Sequence, residues 1–302
     1  MTARAAGRTA ASTAALRRTA VIRRLRNVSE VRRRLDAESA FTAYARAYLD
    51  PALFPQAEFY EASLGERQAL VMHAHGGLGP STLTLGDAPL IGALLSLHPG
   101  PRQSFLTAEP RHVDVMLTRY NLWRPQTMLR LQLDRAAFTP PSTPDVRRLI
   151  EADASELNRL YAIEEEGLRY SGRQVIEGVY FGAHVRGRLV AAAGTHIYSR
   201  AEGVAVIGNV FTHPDFRGRG LGMAVTAAVA AKLLENAELV VLNVDPANRT
   251  ARHIYERLGF RETGRLIEAM ATRTDSMPLV APLRRAIARW RAKTPGTEVV
   301  EL

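Results

Sequence analysis

Hydrophobic and polar positions change period three times between Gly203 and Phe260. Val204, Val206, Gly208, Val210 and Thr212 share one face of an alternating run, with Ala205, Ile207, Asn209 and Phe211 on the other, which predicts a strand. Leu221, Val225, Val229 and Leu233 then recur every four residues, as in a helix packing one stripe on a sheet. Leu239–Val244 is a nearly continuous apolar run, the pattern of a parallel strand buried on both faces. Last comes a helix over Arg249–Leu258, opened by Asn248 as cap and closed by Gly259, with Ala251, Ile254, Tyr255 and Leu258 inward. Gly208 inside the first strand predicts a bulge or a close backbone approach.

Elsewhere the pattern is shorter in range. It predicts a helix over 31–49, strands at Gln68–His73 and Ser81–Leu85, a helix at Ala88–Leu97, a strand at Ser104–Thr107, a helix at Arg111–Tyr120 and a strand at Met128–Leu133. Thr139–Pro144 holds three prolines, which exclude helix and central strand and predict a linker. Beyond it come a strand over 146–150, a helix over 153–161, and strands at 179–185 and 189–198 joined by Arg186-Gly187. The expected organisation is a basic disordered tail (1–35), an α/β half (36–140), a second α/β domain (141–273) and a C-terminal appendage (274–302).

Composition changes this picture in two places. The net charge of +10 suggests nucleic acid until it is located: residues 1–35 hold ten arginines and one acid, so the remaining chain is nearly neutral. The tail fits a transit peptide, a contact with nucleic acid or anionic lipid, or a plain disordered extension or upstream start. The last is favoured, because arginine outnumbers lysine throughout the chain. Cysteine is absent, which excludes disulfides and thiolate chemistry and suits a cytoplasmic location. No apolar run reaches the ~20 residues of a membrane span, and no membrane partner is expected.

The candidate chemistry lies at Arg217-Gly218-Arg219-Gly220-Leu221-Gly222. Glycines opening a helix leave first-turn N–H groups unpartnered at the positive end of its dipole, an anion site to which both arginines add charge. The spacing is neither the dinucleotide fingerprint nor a Walker loop. Two ordered motifs resemble the GNAT (Gcn5-related N-acetyltransferase) superfamily: Arg217, Gly220 and Gly222, then Asn248, Ala251, Tyr255, Gly259 and Phe260. The resemblance covers about Val146 to Arg273. It implies a mixed central sheet with flanking helices and acetyl-CoA as acyl donor. Arg217, Gly218, Arg219, Gly220, Leu221 and Gly222 would bind the pyrophosphate. Val210, Phe211 and Thr212 would line the pantetheine arm, Asn248 would lie near the thioester, and Tyr255 would protonate the departing thiolate. The two-half arrangement resembles the glycine N-acyltransferase-like branch, and Gln103–Thr107 echoes Asn209–Thr212 as a degenerate repeat would. The first half is then expected to wall the acceptor pocket without binding coenzyme A.

The family's frequent basic glutamate is missing, with Ile207 or Asn209 in its place. Glu164-Glu165-Glu166 falls where the family's acceptor loop usually lies, although a solvated acidic turn is the plainer reading. His196 reads as structural, and His73 with His75 lacks a third ligand for a metal site, so no metal is expected. The chain is thus expected to transfer an acetyl or other short acyl group to a small-molecule or peptide amine by direct attack. The alternatives are a catalytically weak acyl-CoA sensor and a nucleic-acid-associated protein acting through its tail. The acceptor and the oligomeric state stay open.

Overall fold

Alternating and four-residue periods become twenty-two strands and helices in the computed structural model, which describes residues 19–76, 79–141, 146–164, 169–275 and 280–302. In chain order they are β1 (Thr19–Leu25), α1 (Val28–Leu35), α2 (Ala43–Ala47), β2 (Ala57–Leu64), β3 (Arg67–Ala74), β4 (Ser81–Gly86), α3 (Ala88–Leu97), β5 (Gln103–Ala108), α4 (Val113–Leu117) and β6 (Tyr120–Leu133). There follow β7 (Val146–Arg148), α5 (Ala154–Tyr161), α6 (Gly172–Glu177), β8 (Phe181–Val185), β9 (Arg188–Ser199), β10 (Val204–Thr212), α7 (Leu221–Leu234), β11 (Leu239–Val244), α8 (Arg249–Arg257), β12 (Phe260–Arg273), α9 (Val280–Arg291) and β13 (Thr297–Glu301).

The chain folds as two units, and their boundaries differ from the expected ones. Residues 1–37, 51–127 and 266–302 make one, and residues 38–50 and 128–265 the other. Two expectations are corrected. Residues 19–35 are no disordered tail: β1 pairs on both sides, with β2 and β13, and Asn27 caps α1 through its side chain. Apolar Ala20, Ile22 and Leu25 flank Arg23 and Arg24 and are buried, which the charge count conceals. The C-terminal stretch is no appendage either, since β13 is a sheet strand. Residues 1–18, and 142–144 of the proline linker, lie outside the described residues.

In the first unit the strand order is β13-β1-β2-β3-β4-β5-β12, with β4 and β5 the parallel pair. The crossover β4–α3–β5 has the topology of β10–α7–β11 in the second unit. Its strand-to-helix turn carries no glycine loop. Instead Asp87 caps α3, accepting from the Leu90 N–H at 3.2 Å, and Arg67 pairs with Asp87. An acid occupies the place where an anion would dock. Because β5 follows the helix, its topological counterpart is β11, so the echo between Gln103–Thr107 and Asn209–Thr212 joins strands of different position.

The second unit holds the sheet β12-β6-β11-β10-β9-β8-β7, in which β10 and β11 are parallel. Leu221, Val225, Val229 and Leu233 of α7 are buried against one face, as their spacing predicts. Leu157, Leu160 and Tyr161 of α5 and Val175 of α6 form a separate cluster with Tyr180, Leu189 and Ala192. The β8–β9 hairpin turns at Arg186 and Gly187, both at positive φ (51° and 76°), the type I′ geometry that suits strand twist.

Candidate active site

The parallel pair β10–β11 stops at Ile207, which faces Leu242; β11 continues through Val244 against β6, while β10 continues through Thr212 against β9 alone. The strands therefore part, and a bulge between Gly208 and Phe211 marks the place. Asn209 sits there at φ 55°, a left-handed conformation that asparagine tolerates better than most side chains. Phe211 pairs with Ala192, and the His213 N–H donates to Val190 O at 2.8 Å. Alternation then turns the backbone groups of Thr212, and of Val210 before it, toward the open side. There the Thr212 carbonyl accepts from Arg217 Nε at 3.1 Å.

The glycine loop begins directly after this strand. Gly218 and Gly220 have φ values of 76° and 74° with nothing within 4 Å of an added Cβ, so backbone conformation, not space, demands glycine. Gly222 lies close to Thr212, whose Oγ1 would be 3.2 Å from an added Cβ. Gly220 opens α7, leaving the first-turn N–H groups at an exposed helix end. Arg219 lies over the Phe216 ring at 4.9 Å and Arg217 over Phe211 at 5.8 Å. Arg217 also pairs with Glu164, beyond the end of α5. Glu165 and Glu166 are outside the described residues.

Tyr255 is 6% exposed on α8, packs edge-on against Phe260, and makes no hydrogen bond through its hydroxyl among the described residues. Burial alone pushes its pKa up to about 12, so the phenol stays protonated. Asn248 is exposed, and its Oδ1 accepts from the Ala251 N–H at 3.0 Å as the cap of α8.

A polar chain at the bulge was not legible from motifs. Asn209 Oδ1 can only accept, so His196 Nε2, 3.0 Å away, carries the proton. His196 Nδ1 therefore accepts from the Tyr44 hydroxyl at 2.8 Å. Asn209 Nδ2 donates to the Tyr180 oxygen at 3.3 Å, and Tyr180 donates to Thr195 O at 3.0 Å. Tyr161 donates to the Asn209 carbonyl at 2.6 Å. Burial, opposed by the Asn209 bond and reinforced by the nearby Arg130 charge, holds the His196 pKa below its ordinary value. Gly194 and Gly208 are cross-strand partners; an added Cβ would stand 2.1 Å from the Tyr180 ring at the first and 2.1 Å from the His196 ring at the second. The paired glycines were the available signal, since each leaves room for a ring.

A family model, the FR47-like protein, matches residues 181–268, from β8 into β12. The fold agrees: a tandem GNAT protein from the clavulanic acid biosynthesis pathway superposes with a TM-score of 0.52 at 14% identity, over 85% of this chain and 99% of its own. The chain has a GNAT fold. A GNAT protein of Sphaerobacter thermophilus superposes with a TM-score of 0.51 at 14% identity, over 84% of this chain and 95% of its own. The mycothiol acetyltransferase of Thermobispora bispora is 41% identical over 86 residues, which is 27% of this chain and 29% of that relative. The shared stretch is thus under a third of the relative's length. The glycine loop and the parted strands lie within the matched residues 181–268.

Proposed function

We propose that the second unit is an N-acyltransferase that moves an acetyl or other short acyl group from acyl-CoA to a primary amine. The observation that carries this reading is the parting of β10 from β11 at Ile207, directly before the positive-φ glycines that open α7. One opening suits a peptide-like arm by main-chain hydrogen bonds, and the adjoining helix end suits its pyrophosphate. Arg217 and the loop through Gly222 take the phosphates, and Val210 and Thr212 the arm. Asn248 lies beside the thioester end.

The acceptor amine attacks the thioester carbonyl; the new C–N bond forms, the C–S bond breaks, and Tyr255 gives its proton to the departing thiolate. The amine proton passes to Tyr44 as the Tyr44 proton moves to His196 Nδ1. That pair takes the part of the missing glutamate. The first unit takes no coenzyme A, since Asp87 fills its equivalent helix end. The test is coenzyme A release from acetyl-CoA over a panel of amines, amino acids and peptides. Release with one acceptor class is expected. Acetyl-CoA binding without release for any amine would leave the sensing reading.

A further inference from the structure

Helix α9 presents apolar side chains away from the core it packs on. Ala281 and Ala288 are buried, and Arg285 Nη1 donates to Leu97 O at 2.7 Å. On the other side Val280, Leu283, Ile287 and Trp290 are 36%, 64%, 45% and 86% exposed. Their spacing of three, four and three places them on a single stripe. Residues 280–293 also carry Arg284, Arg285, Arg289, Arg291 and Lys293 and no acid. Next to the helix is a cleft of about 610 Å³, lined by Arg23 and Arg24 of β1, by Arg26 just after it, and by Arg289, Lys293 and Glu298. Arg23, Arg24 and Arg289 are ion-paired there. Arg26 and Lys293 pair with no carboxylate among the described residues.

Two occupants compete for the stripe, a second copy of the chain and a bilayer surface. A second copy would form a two-fold contact that sets these arginines against themselves, a like-charge arrangement that costs free energy. No described helix is long and apolar enough to cross a membrane, and α9 has only 12 residues. A bilayer surface satisfies both features at once: an apolar stripe with a tryptophan and flanking arginines is the composition of a helix lying in the headgroup plane. Unpaired cations in the adjoining cleft suit lipid phosphates.

We propose that α9 and the basic cleft beside it dock the protein on an anionic phospholipid bilayer. This goes beyond the acyl-transfer reading and does not depend on it. The test uses the full chain and sedimentation with vesicles of phosphatidylcholine alone or mixed with phosphatidylglycerol. Binding to the mixed vesicles is expected to be at least roughly tenfold tighter, and to fall when salt is raised to about 1 M. In a Trp123→Phe background, Trp290 emission shifts to the blue on binding. Leu283→Ser with Trp290→Ser should abolish binding with unchanged thermal unfolding, because both side chains are exposed; Arg284→Glu with Arg291→Glu should do the same without touching the stripe. Binding that survives both double variants overturns the proposal, as does failure to bind the mixed vesicles. A concentration-dependent dimer that the serine variants abolish would assign the stripe to a second copy instead, and overturn it too.

Discussion

The imidazole of His196 lies over Gly208, so close that a Cβ there would stand 2.1 Å from both Cδ2 and Nε2. Gly208→Ala must push the ring aside, and overpacking of this kind costs about 1–3 kcal/mol. The displaced ring loses Asn209 and Tyr44 together. The expected result is a lower unfolding midpoint and a larger fractional loss of turnover than of acetyl-CoA affinity. Full turnover in a destabilised variant would remove His196 from the reaction.

The same histidine sets an expected pH dependence. Its pKa lies below the ordinary 6.5 because of burial, with Arg130 adding to the effect, so the ring is neutral at pH 7 and able to accept a proton. Turnover should hold down to about pH 6.5 and fall as pH drops through the depressed pKa. Tyr44→Phe breaks the link to Nδ1 and should lower the plateau without changing the KM for acetyl-CoA. His196→Gln should remove the acid limb. A limb that persists in His196→Gln belongs to another group.

Gly208 also shows how far the sequence could be read. A glycine in an alternating strand announced a bulge, and the bulge is there, but which ring needed the space depends on a residue twelve positions away. The motifs from Arg217 to Phe260 were legible because local backbone dictates them: positive φ at Gly218 and Gly220, and at Gly259 a φ of 96°. Tyr44, Tyr161 and Tyr180 left no such mark, since a tyrosine at an amphipathic position reads as core until its hydroxyl partner is known. The segment from Thr19 to Leu35 departs from the expected tail for a related reason. Its arginines dominate the count, while β1 owes its place to three buried residues and to pairing with a strand nearly three hundred positions away.

Glu164 neutralises Arg217 in the structure, and an arriving pyrophosphate has to compete for the same guanidinium. Both side chains are about half exposed (57% and 54%), so solvent screens the pair and its worth is small. Glu164→Gln should tighten acetyl-CoA binding by about two- to fivefold, measured by calorimetry at low salt, while Arg217→Ala weakens it. Weaker binding in Glu164→Gln would mean that the carboxylate orients Arg217 for the ligand.

Tyr255 keeps its proton up to about pH 12 because it is buried. Tyr255→Phe retains the packing against Phe260 and removes only the hydroxyl. Turnover is expected to fall by about 10²–10⁴-fold, the usual worth of a positioned acid, with acetyl-CoA affinity nearly unchanged. Unaltered turnover would reduce Tyr255 to a core residue.

His73, in the first unit, gives a prediction that involves no catalysis. It is fully buried between Thr82 Oγ1 at 3.0 Å and the His98 carbonyl at 2.9 Å, and burial lowers its pKa from 6.5 to about 4. Below pH 6.5 the unfolded chain takes up a proton that the folded chain refuses, so stability falls with pH until the folded pKa is reached. The shift is worth about 3 kcal/mol across that window. Both tryptophans, Trp123 and Trp290, lie in this unit, so their fluorescence in urea reports its unfolding. The midpoint should drop between pH 6.5 and 4. His73→Gln should start lower at pH 7, having lost a fitted ring, yet change far less over the same range. Equal pH slopes for the two proteins would place the acid sensitivity in a different group.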